Sequence, residues 1–457
     1  SSVLLFNLYS ANEVKAKDEK SDIFEELKSF TDVLAIVQRD YVRPINEKKA
    51  VEGAIKGMLA TLDPHSGYLD PDFYQDLQAQ TKGEFGGLGL EITIQEGLLV
   101  VVTPMEGSPA DKAGVKAGDA IVKIGNEFTK QFSLIDAIKK LRGPKGSPIE
   151  ISVLRKGAPD LISISLVRDN IQVKSVKSRY LGDGYGYVRI NQFAEKTTED
   201  LQNALHRIAS ESADGTIHGL ILDMRNNPGG LLQQAVRVSD LFLNEGIIVY
   251  TDSRLDSQKQ KYFAQARGTE PDYPIVVIVN GGSASASEIV AGALKDHGRA
   301  IVVGTQTFGK GSVQTITPLD SGGALTLTTA LYFTKSGRSL QALGVTPDVI
   351  VEAGAPAQSE TEPADKESEQ STSSLMRESD LPGAIRNPNL PEDQVAPGTT
   401  PMQKINKTPV IRPDLSTINP EKTDLSEWIS KDNQFAKAFE MLKSFNVLLA
   451  KADSRGP

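Results

Sequence analysis

The chain has 457 residues, which corresponds to about two to four domains. It contains no cysteine, which excludes disulfides and thiolate nucleophiles, and its four histidines do not stand at metal-ligand spacing, so we expect no metal site. Its net charge of −9, without clustered Lys and Arg, argues against nucleic-acid binding, because phosphate neutralisation needs such clusters.

The first part of the chain is predicted to be helical. An apolar stretch at residues 3–8 is too short to span a bilayer, which takes about 20 residues. It is typical either of the end of a clipped signal peptide or anchor, or of a frayed N-terminal segment. Residues 21–81 repeat apolar side chains at helical spacing, and Arg43-Pro44 and Asp63-Pro64 are helix stops. We therefore expect an N-terminal helical region here.

Two regions of different character follow, at residues 82–168 and 169–352. The first contains strand-like apolar runs punctuated by glycine, with one clear helix after a plausible N-cap at Ser133. The second alternates short apolar strands with amphipathic helices, which indicates parallel βαβ units. Ligands of such sheets bind at the carboxyl ends of the strands, so candidate site residues are expected there.

The composition changes again in the C-terminal part. Residues 353–422 are rich in Glu, Ser, Thr and Pro and lack apolar periodicity, so we predict a disordered linker. Residues 423–457 return to an apolar stripe at helical spacing, which predicts a terminal helix. Such a helix needs a surface to cover, which is either the core of this chain or a second subunit.

Three stretches at strand ends contain the candidate catalytic residues. In the first, residues 280–288, Ser285 lies where a buried strand ends and a helix begins. The N-terminus of that helix offers free backbone N–H groups, which are the donors that an oxyanion needs. Ser285 and Glu288 also have the spacing of a capping box, so this stretch alone is compatible with a plain helix cap.

The other two stretches supply a base and a glycine turn. Lys310 stands between two glycines after a buried strand, and it can serve as the base for a serine if desolvation lowers its pKa. The alternatives are a solvated loop lysine and a fragment of a phosphate-binding loop, although the spacing of the latter is absent. Gly229-Gly230 can bring backbone N–H groups close to a ligand, or form an ordinary turn.

Together, the three stretches resemble the C-terminal processing peptidases, also called tail-specific proteases. The likeness extends over about residues 23–351 and includes the sequences at 332–341 and 344–348. It implies an α/β multidomain fold with a βαβ-type protease core, an inserted domain and N-terminal helices, and no metal or organic cofactor. The site residues that it implies are the nucleophile Ser285, the base Lys310 at the family distance of 310 − 285 = 25 residues, Gln314 as the residue that orients this lysine, and the oxyanion donors Gly229, Gly230 and the N–H of Ala286.

Residues 82–168 resemble a PDZ domain. Gly86-Gly-Leu-Gly-Leu-Glu-Ile92 is similar to the PDZ carboxylate-binding loop, and residues 107–119 are a second PDZ-like stretch; a glycine-rich hairpin is the alternative. The resemblance implies that this loop holds the terminal carboxylate of a peptide that adds a strand to the sheet. The implied peptide-binding residues are Leu88, Gly89, Leu90, Ile92, Ala137, Ile138 and Leu141. Arg168, at the junction with the core, is expected either to report a domain shift to the active site or to be a solvated strand end.

The residues and the resemblance predict a serine endopeptidase that recognises the C-terminal ends of protein or peptide substrates and processes or degrades envelope proteins. We expect a bacterial cell-envelope location, in the periplasm or tethered there by the N-terminus. Further candidate partners are a second copy of the chain, bound through the N-terminal and C-terminal helices, and an activator protein. A non-catalytic PDZ scaffold and an acyl-CoA isomerase or hydratase are the rival interpretations, and the combination of Ser285 with Lys310 favours the peptidase.

Overall fold

The computed structural model describes residues 19–95, 97–105, 107–354, 376–390 and 423–453, and the chain divides into two units at Leu62 and Asp63. The first unit contains helices α1 (Glu19–Asp40) and α2 (Glu47–Ala60). Asn46 caps α2, since its side-chain oxygen accepts a 3.0 Å hydrogen bond from the N–H of Lys49. Among the described residues, no helix combines the length and the hydropathy that crossing a bilayer requires.

The apolar stripe of α1 is exposed in this chain. Its side chains recur at helical spacing, as the sequence predicts, and are more than two-fifths exposed at Ile23, Phe24, Leu27, Phe30 and Val33. The helical N-terminal region is therefore present, with its apolar face open in the single chain.

The second unit begins with β1 (Gly67–Leu69) and α3 (Pro71–Lys82). Asp70 caps α3 by accepting a 2.9 Å hydrogen bond from the N–H of Phe73. The helix ends at Gly83, whose φ of 73° is in the left-handed region that favours glycine. These two signals fix the length of α3, which leads from the first unit toward the β-rich domain.

The next domain is a small antiparallel sheet with two helices. Its elements in chain order are β2 (Glu84–Gly87), β3 (Leu90–Gln95), β4 (Leu98–Pro104), α4 (Pro109–Lys112), β5 (Ala120–Ile124), β6 (Glu127–Phe128), α5 (Leu134–Leu141), β7 (Pro148–Leu154), β8 (Ile162–Val167) and β9 (Asp169–Gln172). The sheet has the strand order β3-β4-β5-β7-β8, with β6 paired to β5. Strands β2 and β9 pair with each other as an antiparallel ribbon at the two ends of the domain.

The remaining part of the second unit is the βαβ core. Its elements in chain order are β10 (Val176–Gly182), β11 (Tyr185–Ile190), α6 (Thr197–Glu211), β12 (Gly219–Asp223), α7 (Leu232–Asp240), β13 (Ile247–Asp252), β14 (Lys261–Phe263), β15 (Ile275–Val279), α8 (Ala286–Asp296), β16 (Ile301–Gly304), β17 (Ser312–Pro318), β18 (Ala324–Phe333) and β19 (Val349–Ile350). The main sheet has the order β10-β11-β12-β15-β16-β19 and is parallel from β11 onward. A second, antiparallel sheet is formed by β1, β18, β13 and β14, with β17 paired to β18. The predicted α/β multidomain fold is confirmed.

The C-terminal helices cover one face of the main sheet. The sequence predicts one helix here, but the structure has two, α9 (Leu425–Lys431) and α10 (Asn433–Asp453), which are separated at Asp432. Their buried side chains pack with Tyr187 and other residues of the sheet, and Trp428 stacks on Phe435 with ring centroids 3.9 Å apart. The sequence is compatible with a terminal helix that covers either the core of this chain or a second subunit. In the structure the helices cover the core, because the parallel sheet has an apolar second face.

The linker prediction is wrong for residues 376–390. Glu378 and Asn387 in this segment are buried, and the side-chain nitrogen of Asn387 donates to the carbonyl oxygens of Ser339 and Gln341. The segment is ordered by hydrogen bonds of polar side chains rather than by apolar burial, which composition cannot reveal. The rest of the predicted linker, at 355–375 and 391–422, lies outside the described residues.

Candidate active site

A cleft of about 480 Å³ opens where several strands of the core end. It is walled by α3, by the turn that follows β12, by the start of α8 and by the first residues of β17. Its lining includes Leu77, Gln80, Thr81, Gly229, Gly230, Ser285, Lys310, Val313, Gln314 and Tyr332. The fold therefore brings Ser285, Lys310, Gln314 and the glycine turn, which are far apart in the sequence, to a single cavity.

Ser285 lies at a strained turn between β15 and α8. Its φ of 55° is in the left-handed region, which is rare for a residue other than glycine and is maintained only when the surroundings enforce it. The N–H of Glu288 donates to the carbonyl oxygen of Ser285, not to its hydroxyl, and the hydroxyl therefore does not act as the helix cap. Only the reverse half of the capping box forms, in which Glu288 accepts from the N–H of Ser285 at 2.8 Å.

The two neighbouring serines have other hydrogen-bond partners. The hydroxyl of Ser283 donates to the carbonyl oxygen of Met224 at 2.8 Å, and that of Ser287 donates to the carbonyl oxygen of Asn227 at 3.0 Å. Both side chains are fully buried. Of the three serines in the stretch, Ser285 is the one that lines the cleft.

The glycine turn lies directly against the start of α8. A Cβ atom at Gly229 would be 2.8 Å from the Cβ of Ser285 and 3.0 Å from the nitrogen of Ala286. The φ angles of Gly229 and Gly230 are 103° and 138°, which a residue with a Cβ rarely adopts. Glycine is thus required here both by close approach and by backbone conformation.

The N–H of Gly229 is not available to an oxyanion in this structure. It donates to the side-chain oxygen of Asn227 at 2.9 Å, which corrects the expectation that Gly229 is a donor. Beside this turn, the N–H of Phe193 donates to the carbonyl oxygen of Gly229, and the N–H of Leu231 donates to that of Phe193. Neither hydrogen bond uses the N–H of Gly230. Ala286 is the first residue of α8, where an N–H has no intrahelical acceptor.

Lys310 is partly buried beside carboxylates from three different elements. Burial lowers the pKa of its ammonium group below the usual value for lysine, while Glu378, Asp63 and Glu288 act in the opposite direction. The net shift is downward, so a larger fraction of this lysine is neutral near neutral pH than of a solvated one. Burial thus outweighs the three carboxylates in its effect on the pKa of this lysine.

The side chain of Glu288 joins the two halves of the site. One carboxylate oxygen accepts from the N–H of Ser285 at 2.8 Å and of Lys310 at 2.9 Å, and the other accepts from the N–H of Gly309 at 2.7 Å and the hydroxyl of Thr307 at 2.5 Å. The group is fully buried, which raises its pKa to about 7, against the effect of these hydrogen bonds. Its sequence signal, a glutamate three residues after the serine, indicates only a helix cap.

Gln314 lines the cleft with Lys310 but has other partners. Its side-chain nitrogen donates to the hydroxyls of Ser312 at 3.0 Å and of Thr328 at 3.2 Å. Thr328 in turn donates to Asp63 at 3.0 Å. None of the hydrogen bonds of Gln314 within the described residues reaches Lys310, so its orienting role stays a prediction.

The β-rich domain contains a groove of about 240 Å³ between β3 and α5. It is lined by six of the seven residues predicted to bind peptide, which are Leu88, Gly89, Leu90, Ile92, Ile138 and Leu141. The prediction is wrong for the seventh, Ala137, because its short side chain is completely buried in the domain core and does not line the groove.

Comparison with known proteins identifies the family. The sequence profile of Peptidase family S41 matches residues 184–351 of this chain, and that of a PDZ domain matches residues 100–155. The profile of the N-terminal domain of the activating protease CtpB matches residues 7–73. The chain is 48% identical to a carboxy-terminal-processing protease of Bartonella bacilliformis, over 74% of this chain and 78% of that protein. The chain belongs to peptidase family S41.

A second relative agrees with this assignment, and one solved structure is reported beside it. A carboxyl-terminal-processing protease of Synechocystis sp. is 38% identical over 69% of this chain and 75% of that protein. The solved structure of a photosystem II D1 C-terminal processing protease shares 33% identity over 71% of this chain and 87% of that chain, with a TM-score of 0.43. This S41 peptidase is therefore a serine peptidase with a PDZ domain, and the two rival interpretations, a scaffold and an acyl-CoA enzyme, are set aside.

The PDZ domain of this S41 peptidase is connected to the cleft through α3. Arg142 lines the peptide groove and forms an ion pair with Asp76 of α3, and Lys139 lies 3.4 Å from Asp72. The next residues of α3, from Leu77 onward, line the catalytic cleft. These ion pairs and the cleft lining place α3 in contact with both α5 and the catalytic cleft.

Arg168 makes its contacts inside the PDZ domain. Its guanidinium donates to the carbonyl oxygens of Lys140 at 2.8 Å and of Leu141 at 3.0 Å, and to the hydroxyl of Ser147 at 3.0 Å. Cations stabilise the C-terminus of a helix in this way, here that of α5. Arg168 is thus not a solvated strand end, and its hydrogen bonds within the described residues do not include the cleft, so the regulatory role stays a prediction.

We expect Glu288→Gln to lower kcat of this S41 peptidase by about 100-fold, because the amide keeps only one of the two acceptor oxygens and the resulting rearrangement displaces Ser285 relative to Lys310. The amide would also point its own N–H groups at a backbone donor, which costs about 1–3 kcal/mol of the free energy of unfolding. Peptide-cleavage kinetics and urea denaturation measure the two effects. Glu211→Gln, at an exposed glutamate of α6, is the matched control. Wild-type kcat in Glu288→Gln would contradict the positioning role.

Proposed function

We propose that this protein is a tail-specific endopeptidase in which Ser285 is the nucleophile and Lys310 is the general base. The observation that supports this most directly is the hydrogen bonding of Glu288, whose carboxylate accepts from the backbone N–H groups of both residues. Their side chains line the same cleft. The lowered pKa of Lys310 and the strained φ of Ser285 support the same assignment.

The proposed reaction begins when neutral Lys310 takes the proton of the Ser285 hydroxyl. The serine oxygen attacks the peptide carbonyl, and the N–H groups of Gly230 and Ala286 stabilise the oxyanion that forms. Lys310, now an ammonium ion, gives its proton to the leaving amine. Water then attacks the acyl-enzyme, with Lys310 again accepting a proton, and Ser285 is restored. Gln314 orients the lysine in this proposal once its side chain turns from Ser312.

The PDZ groove is proposed to deliver the substrate. Backbone N–H groups at Leu88, Gly89 and Leu90 hold the terminal carboxylate, and Ile92 and Ile138 contact the last side chains of the peptide. Occupation of the groove moves α5, and the contacts of α5 with α3 carry the change to the wall of the cleft. Arg168 fixes the C-terminal end of α5 and thereby couples this helix to β8.

The cellular setting and the partners are also proposed. The substrates are envelope proteins, and the enzyme lies in a bacterial periplasm or is tethered there by a segment that includes residues 3–8. The exposed apolar stripe of α1 is proposed to pair with a second copy of the chain, whereas the apolar face of α10 is already covered by the core. An activator protein that acts on the N-terminal region is compatible with this arrangement. Cell fractionation and sedimentation analysis of the full-length chain test these points.

We expect Ser285→Ala and Lys310→Ala each to abolish peptidase activity without unfolding the protein, because nucleophile and base act as one unit. A fluorophosphonate probe should label the wild type at Ser285 and should not label Ser285→Ala. Ser287→Ala, which removes a hydroxyl bound to a backbone carbonyl, should retain substantial activity. An active Ser285→Ala variant, or labelling at Ser283 or Ser287, would show that the nucleophile is another residue.

We expect amidation of a substrate's C-terminus to slow its cleavage about tenfold or more, because the charge-assisted hydrogen bonds of the carboxylate are lost. Ile138→Asp, which places a charge in the groove, should raise KM for the free-acid substrate. Phe128→Asp, at an exposed position of the same domain, is the control and should leave KM unchanged. Equal cleavage rates for amidated and free-acid substrates would rule out the carboxylate role of Leu88–Leu90 but not the dyad.

A further inference from the structure

Glu378 is a buried carboxylate beside Lys310 that the mechanism above does not use. It begins a short 3-10 turn (Glu378–Asp380) in the segment 376–390 and is fully buried. Its position follows a long polar stretch of the sequence, 68 residues after Lys310 by 378 − 310. Nothing in the local sequence indicates a function for it.

Hydrogen bonds connect Glu378 to the peptide units on both sides of Lys310. Its N–H donates to the carbonyl oxygen of Phe308 at 3.1 Å. Its carboxylate accepts from the side-chain nitrogen of Gln341 at 2.9 Å, and the side-chain oxygen of Gln341 accepts from the N–H of Gly311 at 3.0 Å. The carboxylate is therefore fixed against the lysine loop rather than placed there by a flexible side chain.

The second partner of Glu378 is a histidine from the turn after α2. The Nε2 atom of His65 lies 2.8 and 2.9 Å from the two carboxylate oxygens. The side chain of His65 is 16% exposed, so the pair has limited contact with water. His65 and Gln341 therefore both hold the carboxylate in place.

Three carboxylates act on Lys310, one each from the turn after α2, from α8 and from the 3-10 turn. They belong to Asp63, Glu288 and Glu378, and Glu378 has the largest effect of the three. Burial acts to raise the pKa of Asp63, but hydrogen bonds from Ser66, His65 and Thr328 outweigh it and hold this pKa below the usual range. Asp63 thus remains charged at neutral pH and contributes a constant negative charge near the lysine.

We propose that Glu378 is a positioning residue of the catalytic dyad, whose carboxylate sets how much of Lys310 is protonated at a given pH. This inference rests on the proposed role of Lys310 as general base. A negative charge fixed near the lysine favours the ammonium form, which cannot accept the proton of Ser285. The segment 376–390 therefore restrains the enzyme at low pH, because its charge moves the rise of activity to higher pH.

The direction of the effect separates this role from a structural one. Activity rises with pH as Lys310 loses its proton, so removal of the Glu378 charge moves that rise to lower pH. A residue that only maintains packing would, when replaced, lower activity at every pH and leave the position of the rise unchanged. The pH profile of kcat/KM therefore reports the charge and not the fold.

The experiment compares the full-length wild type with Glu378→Gln, using a short fluorogenic peptide over the pH range in which the wild type is folded. We expect the acid limb of kcat/KM to move to lower pH by about half a unit or more in Glu378→Gln. Asp380→Asn removes an exposed charge from the same turn and should leave the limb where it is in the wild type. If Glu378→Gln is not folded, Glu378→Met, which is also uncharged and of similar length, is measured in its place.

His65→Gln is the second control, because it removes the partner but keeps the carboxylate. The acid limb of kcat/KM for His65→Gln should lie at the same pH as that of the wild type, or at a higher pH. An unchanged or raised limb in the Glu378 variant, or an equal downward shift in His65→Gln, would overturn the proposal. Retained activity in Lys310→Ala would instead refute the dyad itself, so the failure of the two proposals can be told apart.

Discussion

Glu288 is fully buried, and a carboxylate in such a place costs several kcal/mol unless hydrogen bonds compensate for the lost water. Four donors provide this compensation, and they come from both the start of α8 and the loop before β17. Because one acceptor serves both elements, Ser285 and the Lys310 loop cannot separate without leaving buried polar groups unpaired. The strained backbone of Ser285 persists under the same constraint.

The turn after β12, which also lines the cleft, follows a buried ion-pair cluster that reaches the C-terminal helices. Arg225, directly after β12, is buried and pairs with Asp223 and with Asp432 at the break between α9 and α10. Two residues later, the side chain of Asn227 donates to Ile190 and accepts from the N–H of Gly229. Loss of any single member would leave a buried charge or amide uncompensated. The buried partners of the C-terminal helices and those of the glycine turn are therefore only two residues apart in the chain.

Burial and nearby carboxylates have opposite effects on the protonation of Lys310. Burial disfavours the ammonium ion, whereas the carboxylates of Asp63, Glu288 and Glu378 favour it. A lysine with burial alone would lose its proton more easily, and a lysine with the carboxylates alone would hold it more firmly than a solvated one. Since the three acids come from elements far apart in the sequence, the basicity of the lysine depends on how the whole core is assembled.

The order of the main regions, the strand-end positions of Ser285, Lys310 and Gly229-Gly230 and, through the combined motifs, the family can be predicted from the sequence. Those features are encoded within a few residues, as apolar periodicity, glycine turns and motif spacing. Three other features depend on the folded chain: Ala137 faces the PDZ core, Asn227 accepts the N–H of Gly229, and His65 contacts Glu378 across 313 residues of sequence. Polar contacts of this kind have no period and no local composition, because each depends on where distant backbone segments come to lie once the apolar core has formed.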